Sequence, residues 1–101
     1  MLNITISEHE GRLVAALHGD LDNVASSQAE RELAPLFKRS DSDVVLECSQ
    51  LNYISSSGLR ILLNVFKHTR NHGHKAVLRS LSDDVREVFD LSGFLQLFVI
   101  E

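Results

Sequence analysis

A chain of 101 residues with 14 acidic and 10 basic side chains, net charge -4, has the size of one small domain and the wrong sign for attraction to a polyphosphate backbone. Its composition, 44 % hydrophobic and 24 % charged, is that of a folded globule, which argues against a disordered chain. Cys48 is the only cysteine, so no intrachain disulfide framework can form, and neither a basic leader nor the ~20-residue apolar run of a membrane span is present. A cytoplasmic protein is expected, with no membrane insertion, no direct nucleic-acid contact and a small, buried Cys48.

At the amino terminus Leu2, Ile4 and Ile6 alternate with Asn3, Thr5 and Ser7, the pattern of a half-buried strand. Glu10-Gly11 then supplies a turn into the segment Arg12 to His18, which reads as a hairpin. After Gly19, Asp22 is placed to cap a helix whose inner face carries Ala25, Ala29, Leu33, Leu36 and Phe37, with Pro35 disturbing its last turn. Behind the polar segment Ser40 to Asp43, the run Val44-Val45-Leu46 predicts a central strand covered on both faces.

From Ser57 onward Leu59, Leu62, Leu63 and Phe66 form an apolar stripe that ends near His72-Gly73. Ala76-Val77-Leu78 is the next buried strand. Ser82, with Asp83 and Asp84 behind it, opens a helix that turns Val85, Val88 and Phe89 inward and stops at Gly93. Phe98-Val99-Ile100 closes as a strand. A hairpin followed by three alternations of helix and strand predicts an α/β fold, one domain over residues 1–101, with a mixed sheet and three helices in covering, right-handed crossovers.

The segment Leu51-Asn52-Tyr53-Ile54-Ser55-Ser56-Ser57-Gly58-Leu59 sets three hydroxyls and a glycine where a strand's exit meets a helix. A helix start carries unpaired N–H groups and partial positive charge, so the run suits a plain serine cap and equally a phosphorylated serine. A serine hydrolase elbow needs glycine two residues before its nucleophile, and Ile54 stands there; a phosphate loop needs Gly-Lys-Ser/Thr, which is absent. His68 and His72 share a helix face with His74 just beyond, but no further ligand sits at a matching position, so neither a metal nor a cofactor is expected. Asp20 and Asp22 are expected at the same end of the sheet as the serines.

Three stretches, Leu17-His18-Gly19-Asp20-Leu21-Asp22, the serine run, and Val85-Arg86-Glu87-Val88-Phe89-Asp90-Leu91-Ser92-Gly93-Phe94, together resemble the anti-sigma-factor antagonists of the STAS superfamily almost end to end. In that family an Asp-Ser-Ser/Thr-Gly-Leu loop carries a phosphorylated first serine, which the resemblance places at Ser56, with Ser57 and then Ser55 as the other chemical candidates. Ser55 stands where the family has aspartate.

The resemblance implies a non-enzymatic STAS-like domain that binds an anti-sigma factor with serine kinase activity when unphosphorylated, and is reset by a PP2C-type phosphatase. Asp22, Ser55, Ser57, Gly58, Arg60 and Asn64 are its expected partner-binding residues. The alternative it implies is a constitutive STAS subunit of a lipid-transport ATPase or a larger signalling assembly.

Overall fold

Alternating residues build the first hairpin, in which β1 (Asn3–His9) and β2 (Arg12–Leu21) pair antiparallel around Glu10 and Gly11, both at positive φ. The structure, a computed structural model, describes residues 1–39 and 41–101; Ser40, the first residue of the predicted polar approach to the central strand, lies outside them. The remaining elements are α1 (Ser26–Phe37), β3 (Val44–Ile54), α2 (Ser56–Asn71), β4 (Ala76–Arg79), α3 (Asp83–Leu91) and β5 (Val99–Ile100). The sheet runs β1-β2-β3-β4-β5, antiparallel at its first pair and parallel thereafter, so the expected mixed α/β sheet with three helical crossovers is present.

One apolar cluster joins all three helices to one face of the sheet. Leu17 and Leu21 of β2, Leu33 of α1, Leu62 of α2 and Phe89 of α3 are fully buried in it, and Phe98 packs edge-on against Phe89 at 5.7 Å between ring centroids. Apolar side chains at helical spacing, leucines in α1 and α2 and Val85 and Phe89 in α3, give each helix a stripe that seals against the pleat.

On the opposite face the central strand is buried as expected, but no helix among the described residues lies over it. Val45 and Val77, in register with Val14 and Val99, lie outside the helix-side cluster yet are buried. A chain of charges stands on that face in place of a helix. Arg12 Nη1 donates to Glu101 Oε2 at 3.0 Å, Arg79 Nη2 donates to Glu101 Oε1 at 3.3 Å, and Arg79 Nη1 lies 3.7 Å from Glu47. The hydrogen bond from Arg12, and then that from Arg79, holds the Glu101 carboxyl below the ordinary carboxylate range.

Two local expectations are corrected. Asp22 does not cap α1: its Oδ1 accepts the Ala25 N–H at 2.8 Å in a turn, and the helix begins at Ser26. A short acid side chain satisfies the nearest free backbone amide first, which here closes a turn ahead of the helix. A 3-10 turn over Leu95–Leu97, absent from the sequence reading, precedes β5, which starts at Val99. Helix α1 continues through Pro35 and ends two residues later, where a missing N–H costs little because both Pro35 and Arg31 are exposed.

The cap of α3 is as predicted, with Ser82 Oγ accepting the Val85 N–H at 3.2 Å ahead of Asp83 and Asp84. Ser82→Ala is expected to lower stability by ~1 kcal/mol. Urea unfolding should show a reduced midpoint at an unchanged slope, and an unmoved midpoint would mean that the cap is idle.

Candidate functional site

Because β2 and β3 are adjacent and parallel, the loops leaving their carboxyl ends lie side by side, and Leu21 pairs with Ile54 at the last rung. The Ser55 N–H donates to the Leu21 carbonyl at 2.8 Å, which carries the ladder one step beyond the strand. Two residues later in the helix Gly58 presses on the same leucine. A Cβ at Gly58 would lie 2.6 Å from Leu21 Cγ and 2.8 Å from its carbonyl oxygen, so only glycine lets α2 start this close to β2.

The three serines have three different environments. Ser55 is 7 % exposed and caps α2, its Oγ accepting the Gly58 N–H at 3.1 Å. Ser57 is half-buried and bound on three sides: its Oγ donates to Asn23 Oδ1 at 2.6 Å and lies 2.8 Å from Ser26 Oγ and 3.1 Å from Ser55 Oγ. Ser56 is exposed at the first position of the helix, and its hydroxyl bonds to none of the described residues. Of the three hydroxyls, Ser56 is the one that is both exposed and unbonded among the described residues.

Helix α2 is sixteen residues long, has no acid in its first turn, and carries His68 and Arg70 in its last. Its positive end is therefore uncompensated by side chains, and the Ser56 and Ser57 amides have no intrahelical acceptor. Arg60 and Asn64 follow Ser56 at four-residue spacing on the exposed side of the helix. Asn64 also borders a groove between α1 and α2 with Ile61, Ala34 and Phe37. Asp22 is half-buried at the same end, tied to α1 through the Ser26 hydroxyl, which lies 3.0 Å from its carbonyl.

Ser55 and Gly58, expected on the partner-binding surface, are buried: one closes the helix start and the other seats it on Leu21. The sequence reading missed Asn23, Ser26, Val24 and Tyr53. Val24, in the turn that follows β2, is 92 % exposed, and Tyr53, near the carboxyl end of β3, is 53 % exposed. The signal for them was topological, since parallel neighbours must deliver both exit loops to one edge.

The three histidines at the end of α2 and just beyond it make local contacts. His68 Nε2–H donates to the Arg39 carbonyl at 2.9 Å and His72 Nδ1–H to the His68 carbonyl at 2.8 Å, while His74 Nδ1 lies 3.3 Å from Asp43. Among the described residues no three His, Cys, Asp or Glu side chains gather as a metal site. Burial pushes the Cys48 thiol up to about 12, so it carries no thiolate at neutral pH. Among the described residues no helix is long and apolar enough to cross a membrane.

A family model for the STAS domain matches residues 3–101. The Bordetella bronchiseptica protein BtrV, provisionally named an anti-sigma factor antagonist, is 39 % identical over 99 residues, covering 98 % of this chain and 85 % of its own. The structure is similar to that of the anti-sigma factor antagonist SpoIIAA in its unphosphorylated form, with a TM-score of 0.80 at 21 % identity over 98 % of this chain and 88 % of that one. It is similar also to the phosphorylated form of the Bacillus cell fate determinant SpoIIAA, with a TM-score of 0.73 at 19 % identity, covering 98 % and 91 % of the two chains.

Proposed function

The chain belongs to the STAS domain family, and from that premise we propose that it is an anti-sigma factor antagonist that works by switching partners on phosphorylation of Ser56. Unphosphorylated, it docks on an anti-sigma factor with serine kinase activity and so releases a sigma factor. The kinase moves the γ-phosphoryl group of ATP to Ser56 Oγ, the P–O bond to ADP breaks, and the hydroxyl proton passes to a base of the kinase. A PP2C-type phosphatase hydrolyses the phosphate and restores docking.

The observation that carries this reading is the isolation of Ser56, exposed at the mouth of α2 while both neighbouring hydroxyls are held. Phosphate there adds nearly two negative charges beside a helix amino terminus, where the domain tolerates them and a docked partner must rearrange around them. The switch then alters docking and leaves the fold standing. Ser55 supports the same reading, because as a neutral cap it does the helix-starting work of an acid without removing the acceptor. The absence of the family's aspartate therefore does not favour the constitutive subunit of a lipid-transport ATPase or larger signalling assembly over the switch.

Incubation with the kinase and Mg·ATP, followed by residue-level mass spectrometry, is expected to place about one phosphate per chain on Ser56 and none on Ser56→Ala. Phosphate on Ser57, or none on the wild type, would refute the assignment.

A further inference from the structure

A hydroxyl carries one proton, and three of them crowd together between the two exit loops. Ser55 is buried and its Oγ already accepts from Gly58, so its own proton must find an acceptor, and Ser57 Oγ at 3.1 Å is the one in reach. Ser57 therefore receives from Ser55 and sends its proton outward to Asn23 Oδ1, at 2.6 Å the shortest bond of the group. Ser26 completes the set, shared between Ser57 and the Asp22 carbonyl. Three hydroxyl protons serve four contacts: that of Ser55 goes to Ser57 Oγ, that of Ser57 to Asn23 Oδ1, and that of Ser26 is left to the Asp22 carbonyl and Ser57 Oγ.

From this count we infer that Ser55 sets the direction of a hydroxyl relay, Ser55 to Ser57 to Asn23, and that Asn23 is a positioning residue that latches the β2–α1 loop against the loop bearing Ser56. The inference rests on Ser56 being the acceptor. Direction matters because an acid at position 55 has no proton to give: it would draw the Ser57 proton inward and leave the Asn23 carbonyl without a donor. With an acid at 55 the Asn23 amide would have to turn its NH2 group to Ser57 to keep the contact, and the latch as it stands fixes how Val24 and Ser56 are presented together to a docking kinase. Asn23 acts on phosphoryl transfer only through the loop it holds.

The relay is tested with the purified chain by amide exchange at Ala25 and Ser26, and its consequence by the kcat and KM of phosphorylation by the kinase with Mg·ATP. Asn23→Ala is expected to speed exchange and to lower kcat/KM about tenfold, the effect of a lost coupling of ~1.4 kcal/mol. Asn23→Asp keeps an acceptor but no donor, so it should restore the slow exchange and most of kcat, with any charge penalty appearing in KM. Placed together with Ser55→Asp, Asn23→Asp should lose the latch and exchange as fast as Asn23→Ala. Exchange that is equally fast in Asn23→Asp and Asn23→Ala on the Ser55 background overturns the relay, as does exchange that no variant changes. The expected exchange pattern with unchanged kinetics overturns the positioning role. A wild-type chain that the kinase leaves unmodified, with exchange as expected, overturns the acceptor reading and the positioning role with it, while the relay stands.

Discussion

Gly58→Ala is expected to destabilise the domain by ~2 kcal/mol or more and to abolish docking with it. The sign is the telling part. In an exposed helix interior the same change stabilises by ~1 kcal/mol, because alanine fixes less costly backbone freedom than glycine does. Here the added methyl group would meet a side-chain carbon at 2.6 Å and a backbone oxygen at 2.8 Å, and a packed interior answers such intrusion with ~1–3 kcal/mol of strain, at times more. The Leu21 side chain can turn aside, but its carbonyl cannot, since it accepts the Ser55 N–H that anchors the acceptor loop. Strain therefore passes straight into that loop. Urea unfolding measures the loss, and Leu21→Val in the same chain should recover part of it, the non-additivity expected of touching residues. A Gly58→Ala chain more stable than the wild type would show that α2 does not start against β2 as described.

Ser56→Asp should weaken binding to the anti-sigma kinase about a hundredfold, ~2.7 kcal/mol, and Ser56→Ala should bind within about twofold of the wild type. Stability should move the other way. A carboxylate at the first position of α2 meets an uncompensated positive helix end and gains ~0.5 kcal/mol. Calorimetric titration with the kinase beside thermal unfolding of the free variants separates the two effects. Loss of both binding and stability in Ser56→Asp would mean that the charge acts by unfolding, and equal affinity in the two variants would remove Ser56 from the interface.

The order of elements was legible because the local signals agreed: alternation for the hairpin, apolar stripes for the helices, Ser82 as a start and Gly93 as a stop. The length of β3 was not. Val44-Val45-Leu46 announced a strand, but it continues through Glu47, Ser49, Gln50 and Asn52 to Ile54, a stretch with polar residues on a face that no helix covers, so hydropathy alone gave no sign of it. Val45 was read as part of a strand covered on both faces, but residue type alone does not reveal that Arg12, Glu47, Arg79 and Glu101 are the side chains standing on its outer face.

At the site, the serine run was readable from cap chemistry within nine residues of sequence. The role of each serine was not, because it depends on Asn23 and Ser26, some thirty residues earlier, and on the parallel register that brings them across. Asp22 misled for a related reason: its preference for a free amide was correctly read, but the amide it found belongs to a turn.

The two walls of the sheet answer to opposite solvents. On the helix side cohesion comes from excluded water, which kosmotropic salts such as sulfate strengthen, while on the other side Arg12, Glu101, Arg79 and Glu47 hold together by attraction that dissolved ions screen over ~8 Å at physiological strength. The helix-bearing wall that supports Ser56 thus stays rigid in brine, and the bare wall becomes the yielding one, its valines wetted as the charges part.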